Sequence, residues 1–146
     1  MSKRIDEIRD FFARYEDRAN QGLADDVDEV AVASNFTDCF IAANPSGVAC
    51  GKNDEHLRSQ LHQGYIFYRD IGIKRMEIDD MAITCLDDYH DMVRVRWHSL
   101  YIDKEEKIDR IDFDVIYLLQ TTCDGPKIFG YITGDEMGAL KERGLI

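Results

Sequence analysis

Hydrophobic residues recur every three or four positions at the start of the chain and every second position in its second half. The first segment carries an apolar stripe formed by Ile5, Ile8, Phe12, Tyr15 and Ala19. This spacing predicts an amphipathic helix over residues 2–20, which Gly22 ends. A second helix is predicted over residues 24–33, because acidic residues in its first turns complement the positive end of the helix dipole.

The middle of the chain combines short strands with one more helix. In the stretch FTDCFIAAN, the side chains alternate between two strand faces, and the stretch runs into the turn residues NPSG. It therefore predicts a strand and a tight turn, with VACGK as a short return strand. Asn53 or Asp54 is expected to cap a third helix that ends near Gly72.

The period changes to two from residue 74 onwards. A strand is predicted over residues 74–86, and its apolar phase changes at Asp79 and Asp80, which indicates a β-bulge. Further strands are predicted at about 92–102, 108–122 and 127–134. Asp135 is expected to cap a last short helix.

This order of elements predicts a single α+β domain over residues 1–146. Its sheet should be curved, mostly antiparallel and wrapped around the N-terminal helices. Because a strongly bent sheet cannot fill its own concavity with side chains, we expect a cone-shaped pocket between the sheet and the helices.

Net charge limits the classes of partner. Lys and Arg number 18 against 29 Asp and Glu, so the formal net charge is −11. Such a chain repels phosphate backbones and anionic membrane surfaces, and no apolar run approaches the roughly 20 residues of a membrane span. The opening MSKRIDEIRD is amphipathic and acidic where a signal peptide needs an apolar stretch. We therefore expect a cytoplasmic protein with no nucleic-acid or membrane partner.

The cysteines and histidines show no metal-binding spacing. Cys39, Cys50, Cys85 and Cys123 are scattered, which is typical of reduced, half-buried thiols in a cytoplasmic protein. His56, His62, His90 and His98 are equally dispersed, so no metal site is predicted.

Charged residues occupy one phase of two neighbouring strands. A hairpin centred near Glu105 sets His98 opposite Asp112 and Arg96 opposite Asp114. On an exposed face such pairs contribute about 0.2–1 kcal/mol each, whereas inside a cone they would form a poised proton-transfer group. The opposite phase is the more apolar and should meet the helices, which favours an outward position for the charges; it contains Val93, Val95, Trp97 and Tyr101.

Several segments together resemble the nuclear transport factor 2-like superfamily, which includes ketosteroid isomerase, scytalone dehydratase and polyketide cyclases. They are ARY at 13–15, SNFTDCFIAANPSG and the closing DFDVIYLLQTTCDGPKIFGYITGDE. The resemblance implies a cystatin-like α+β cone, an apolar pocket and chemistry without a cofactor. Because the superfamily spreads one shape over many functions, it implies no particular substrate.

Ketosteroid isomerase uses an Asp base, together with a Tyr and a protonated Asp that form an oxyanion hole. The resemblance places the tyrosine at Tyr15 and the second acid at Asp112 or Asp114. It places the base at Asn44, whose amide cannot accept a proton at neutral pH. Steroid isomerisation itself is therefore not expected.

Two functional hypotheses follow. In the first, the protein binds a small apolar or aromatic ligand, and as an enzyme it would be a cofactor-free isomerase, dehydratase or cyclase. Its catalytic candidates are His98, Asp114 and Tyr15. Its ligand-binding candidates are Asn44, Phe40, Phe67, Arg96, Asp112 and Tyr117. In the second, the protein is a non-catalytic dimerisation or protein-interaction module. Under both, we expect a homodimer formed through the outer face of the sheet.

Overall fold

A computed structural model describes residues 2–26 and 28–146. In this part of the chain the helices are α1 (Ser2–Leu23), α2 (Glu29–Ala33), α3 (Glu55–Asp70) and α4 (Glu136–Glu142). The strands are β1 (Phe36–Asn44), β2 (Gly47–Lys52), β3 (Ile73–Cys85), β4 (His90–Ile102), β5 (Ile108–Thr122) and β6 (Gly125–Thr133).

The six strands form one curved, unclosed sheet in the order β2-β1-β6-β5-β4-β3. All neighbouring pairs are antiparallel except β1 and β6, which run parallel. The helices cover the concave face. The predicted α+β architecture with a mostly antiparallel curved sheet is confirmed.

The predicted strand register is also confirmed. His98 lies opposite Asp112 and Arg96 opposite Asp114 in the β4–β5 ladder. In the β3–β4 ladder the register shifts between Ile78 and Asp80, where the bulge was predicted.

The first helix packs on the concave face through aromatic side chains. Phe12 is fully buried, and its ring centroid lies 5.1 Å from that of Tyr117 and 5.1 Å from that of Phe11. Burying a side chain of this size contributes about 1.5–3 kcal/mol. Beneath α1 lie the fully or almost fully buried side chains Val93, Val95, Trp97, Leu119 and Ile128.

Polar side chains of α1 also pair with the backbone of the edge strand β3. Asn20 accepts from the Met76 N–H and donates to the Met76 carbonyl, both at 2.8 Å. The Glu16 carboxylate accepts from the Ile78 N–H. These bonds satisfy backbone groups on the open side of β3, which is an edge strand, and protect an edge that would otherwise be open to another strand.

The predicted end of α1 is wrong, because the helix continues through Gly22 to Leu23. A Cβ at Gly22 would lie 2.8 Å from the ring of Tyr65, so the glycine is needed for close packing of α1 on α3. The predicted second helix is also too long. Asp25 adopts a left-handed φ of 66°, and α2 begins only after its N-cap Asp28. Val27, within the predicted span, lies outside the described residues.

Asp54, rather than Asn53, caps α3, and its carboxylate accepts from the N–H groups of His56 (3.0 Å) and Leu57 (3.4 Å). After α3, the chain turns into β3 at Gly72. The φ of Gly72 is 98°, and a Cβ there would lie 2.8 Å from the Ile102 carbonyl oxygen. Glycine is therefore required by both conformation and space.

Within the described residues, no helix combines the length and apolar character needed to cross a membrane. None of the four cysteines forms a disulfide within the described residues, but they are not uniformly half-buried as predicted. Cys39, Cys50 and Cys123 are exposed and Cys85 is partly buried.

Two helical glycines make a matched test of the packing of α1 on α3. We expect Gly22→Ala to lower the free energy of unfolding by about 1–3 kcal/mol, since the methyl group overlaps the Tyr65 ring. Gly64→Ala, in α3, meets no atom within 4 Å. It should raise stability by about 0.5–1 kcal/mol through helix propensity. Urea unfolding of both variants measures these changes, and equal effects would contradict the close contact at Gly22.

Candidate functional site

A cavity of about 320 Å³ lies between the helices and the concave face of the sheet. Helices α1, α3 and α4 and strands β1 and β3–β6 all contribute to its lining. Most of the wall is apolar and includes Phe36, Leu57, Leu61, Met76, Phe113 and Val115. Such a wall favours an apolar or aromatic molecule.

Tyrosines provide much of the polar surface of the cavity, namely Tyr15, Tyr65, Tyr68, Tyr117 and Tyr131. The Tyr117 hydroxyl accepts a hydrogen bond from Trp97 Nε1 at 3.1 Å and also interacts with the Tyr15 hydroxyl. Because the bond from Trp97 uses only a lone pair, the hydroxyl hydrogen of Tyr117 can be donated to an acceptor in the cavity, and that bond polarises it.

These hydroxyls are neutral at neutral pH, and burial makes their ionisation harder still. Desolvation raises the pKa of Tyr65 to about 12, and it raises the pKa values of Tyr15, Tyr68, Tyr117 and Tyr131 as well. At neutral pH, each tyrosine can therefore donate or accept a hydrogen bond without carrying charge.

Glu136 brings a carboxyl group to the cavity from the first turn of α4. Asp135 holds this turn in place, since its carboxylate accepts from the Gly138 N–H at 3.0 Å. The Tyr68 hydroxyl donates to Glu136 Oε2 over a long 3.4 Å. Desolvation raises the pKa of Glu136, and the bond from Tyr68 offsets only part of that effect.

Ser99 adds a buried hydroxyl from β4. Its residue is only 1% exposed and lines the cavity, and among the described residues its Oγ has no hydrogen-bond partner. A buried hydroxyl without a partner costs about 1–3 kcal/mol, so a polar ligand atom that bonds to it would recover this loss.

Of the residues predicted from the sequence, Tyr15 and Tyr117 meet at the cavity. Phe40 lies in the core, with its ring centroid 5.5 Å from Phe36 and 6.3 Å from Tyr131. Phe67 packs in a second core cluster around Leu23, Ile73, Tyr101, Ile111 and Leu140.

Asn44 is exposed at the end of β1. Its Oδ1 accepts from the Ser46 N–H at 2.8 Å, so Asn44 acts as a turn residue of the NPSG stretch. This geometry gives Asn44 no part in orienting a ligand in the cavity.

The remaining predicted residues lie on the outer face of the sheet. His98 contacts Asp112 at 2.7 Å through Nδ1 and Asp79 at 3.0 Å through Nε2. Arg96 lies 3.5 Å from Asp112, and Asp114 is paired with Arg94 at 3.4 Å. Alternate residues of a strand face opposite sides of the sheet, and Trp97 and Ser99 face the cavity. The charged side chains therefore lie outside it, and the alternative that placed them inside the cone is wrong.

The outer charges neutralise one another. Burial alone would raise the pKa of Asp112, but the hydrogen bond from His98 and the positive charges nearby outweigh it, and the net effect lowers that pKa. The arrangement is that of a structural ion-pair network. The catalytic or ligand-binding roles assigned to these residues remain predictions.

Sequence reasoning missed the cavity carboxylate Glu136 and the hydroxyl of Ser99, and it considered Tyr68 only as an alternative to Phe67 in the cavity wall. Glu136 follows Asp135, which was correctly predicted as a helix cap. The sequence therefore predicted the start of the helix but not the direction in which the Glu136 side chain points. Tyr68 lies in GYIFYRD, which has the composition of a core segment. Ser99 lies in the same strand phase as Trp97, which is apolar. A hydroxyl in that phase is the feature of the sequence that could have identified Ser99.

Comparisons with known proteins agree on a family and a fold. A family model described as NTF2-like protein (DUF6841) matches residues 6–136. Among solved structures, an NTF2-like protein with a cystatin-like fold from Novosphingobium aromaticivorans is 15% identical over 99% of this chain and 89% of its own, with a TM-score of 0.72. A search of curated proteins finds no match.

Two further structures are similar at the level of the fold. An NTF-2 like protein of unknown function from Shewanella oneidensis is 18% identical over 90% of this chain and 98% of its own, with a TM-score of 0.68. A ketosteroid isomerase-like protein from Erwinia carotovora is 16% identical over 92% of this chain and 97% of its own, with a TM-score of 0.60. Identities this low establish a shared fold and leave function open.

The raised pKa of Glu136 predicts a specific pH dependence of stability. A carboxyl whose pKa is higher in the folded state favours folding at low pH, and that contribution is lost as pH rises through the folded pKa. Relative to wild type, Glu136→Gln should therefore gain free energy of unfolding between pH 4 and pH 8. Glu142→Gln, at an exposed position of α4, is the control and should show no such trend. Parallel pH profiles for wild type and Glu136→Gln in urea unfolding would contradict a desolvated carboxyl group.

Proposed function

This chain belongs to the NTF2-like protein family DUF6841, and from that premise we propose that it binds a small organic molecule in the cavity between the helices and the concave face. One observation carries the proposal. An apolar and aromatic wall surrounds a few polar groups whose hydrogen-bonding capacity is incompletely used, namely Tyr117, Ser99 and Glu136. This is the usual composition of a small-molecule site.

The ligand class follows from the lining. A volume of about 320 Å³ is at the lower end of small-molecule pockets, so the ligand is compact. Aromatic walls favour an apolar or aromatic body, and the hydrogen of Tyr117 suits an acceptor such as a carbonyl or ether oxygen. Ser99 can bond either a donor or an acceptor.

A reaction of the isomerase, dehydratase or cyclase type without a cofactor requires a proton-transfer group beside the ligand. Glu136 is the only carboxyl group among the described residues that line the cavity. Such a reaction would have to use Glu136, with Tyr117 as hydrogen-bond donor to the ligand. His98 and Asp114, on the outer face, are too poorly placed for that role.

We also propose a homodimer through the outer face, which a specific observation favours. Val48 is 73% exposed, Ile41 46% and Ile132 44%. The register places Val48, Ala43, Ile132 and Ile116 in one row across four adjacent strands. This row, with Ile41, is called the apolar strip below. Apolar surface shared by neighbouring strands is typical of a contact between subunits.

The charges beside the apolar strip are compatible with a second copy of the chain. Arg94 is paired with Asp114, and both Arg96 and Arg110 contact Asp112. The outer face is thus locally balanced even though the chain carries −11. A second copy would meet little repulsion there. The exposed thiols of Cys39 and Cys50 fit the reducing cytoplasm as the proposed compartment.

Blocking the cavity tests the binding function. Leu61, on α3, lines the cavity, and Leu61→Trp should fill part of it and abolish binding of 3-tert-butylphenol. Leu86→Trp makes the same change at a site that is 54% exposed and should bind as wild type does. Binding is measured by NMR titration, with shifts expected at the amides of Gly64, Ser99 and Thr133. Equal binding by both variants, or shifts confined to the outer face, would refute a ligand site in the cavity.

The dimer is tested by one charge in the apolar strip. Wild type should sediment as a dimer, and Ile132→Glu should be a monomer with unchanged far-UV circular dichroism, because the carboxylate would be desolvated at the contact. Ile108→Glu, at the far end of β5 and 75% exposed, is the matched control and should remain dimeric. A monomeric wild type in sedimentation equilibrium would rule out this interface.

A further inference from the structure

The cavity lining carries formal charge of one sign only, which is negative. Among the described residues that line it, Glu136 is the only one with a formal charge, and lysine, arginine and histidine are missing from that set. An anionic ligand would therefore find no positive partner and would face a carboxylate. Carboxylate and phosphate ligands are disfavoured on this ground.

The carboxyl group of Glu136 is incompletely satisfied. A carboxylate offers about four acceptor sites, and the described structure gives this one a single side-chain bond, 3.4 Å from the Tyr68 hydroxyl. Burial without a close partner raises its pKa. A positive group of the ligand would supply the missing partner and would stabilise the ionised form.

The surrounding rings favour the same sign of charge. The ring centroid of Tyr15 lies 6.2 Å from that of Trp97 and 5.8 Å from that of Tyr117, so the three rings form one aromatic group of the lining. Aromatic faces carry negative potential and attract ammonium groups, most strongly where water is excluded. The net charge of −11 also raises the local concentration of cations around the protein.

From this geometry we propose that the cavity recognises an organic cation, an amine or quaternary ammonium compound with a compact aromatic or aliphatic body, and that Glu136 is its counter-ion. The proposal rests on the binding function proposed above and narrows its ligand class. It makes Glu136 a binding group rather than the base of a proton transfer. The phenolic rings of Tyr15 and Tyr117 would contact the cationic end or the body of the ligand.

A pair of isosteric probes separates charge from shape. The (3-hydroxyphenyl)trimethylammonium ion and 3-tert-butylphenol differ in one atom, a positive nitrogen in place of carbon. Dissociation constants for both are measured by NMR titration at neutral pH, in wild type, Glu136→Gln and Glu142→Gln. Glutamine keeps the size of the side chain and removes its charge, and Glu142 is the exposed control on the same helix.

Wild type and Glu142→Gln should bind the cation about tenfold more tightly than the neutral phenol, as expected for a desolvated charge pair together with aromatic contacts. In Glu136→Gln, the two probes should bind about equally. If wild type binds the neutral phenol as tightly as the cation or more tightly, the cation proposal falls while the ligand-binding function stands. If the preference survives in Glu136→Gln, Glu136 is not the counter-ion and the proposal is equally overturned. If neither probe binds wild type, both proposals fail.

Discussion

The structure depends on the docking of α1 in the concave face of the sheet. Phe12 is buried there against Tyr117, and Asn20 forms two 2.8 Å hydrogen bonds with the backbone of Met76 at the edge strand. The first interaction supplies apolar burial, and the second satisfies backbone groups of β3 that have no neighbouring strand because β3 is at the edge of the sheet. Without this docking, the curved sheet would expose both its apolar inner face and an open edge.

The same docking creates the cavity. The docked helix leaves space between itself, α3, α4 and the bent sheet, and the side chains that face this space are mostly large and partly polar. Tyr15, Trp97 and Tyr117 pair their polar atoms with one another, which allows them to lie in an apolar surrounding. Ser99 and Glu136 are not satisfied in this way. The groups left incompletely bonded are the ones that a ligand can complete.

Periodicity along the chain was sufficient to predict the strands and the β4–β5 register, but the parallel pairing of β1 with β6 was not predicted. The opposition of His98 to Asp112 follows from a hairpin centre alone, and the bulge at Asp79 and Asp80 follows from a change of phase. Prediction from the sequence failed where contacts between distant segments determine the local structure. Gly22 resembles a helix end in the sequence, but the ring of Tyr65 requires a glycine inside the helix. Glu136 enters the cavity because α4 packs across the end of the sheet, which no local pattern records.

The contrast between the two faces of the sheet carries the functional inference. The outer face holds most of the charges that stand out in the sequence, yet His98 is held between two carboxylates at 2.7 and 3.0 Å and Asp114 is paired with Arg94. Charges that satisfy each other in this way stabilise a surface or align a subunit contact, and they have little capacity left for a substrate. On the inner face, Asp91 is buried but paired with Arg4 of α1 at 2.9 Å, whereas Glu136 at the cavity has one long bond, from Tyr68. The charges that are conspicuous in the sequence satisfy one another on the outer face, whereas Glu136, the only carboxyl group among the described residues that line the cavity, keeps unused acceptor capacity in an aromatic surrounding.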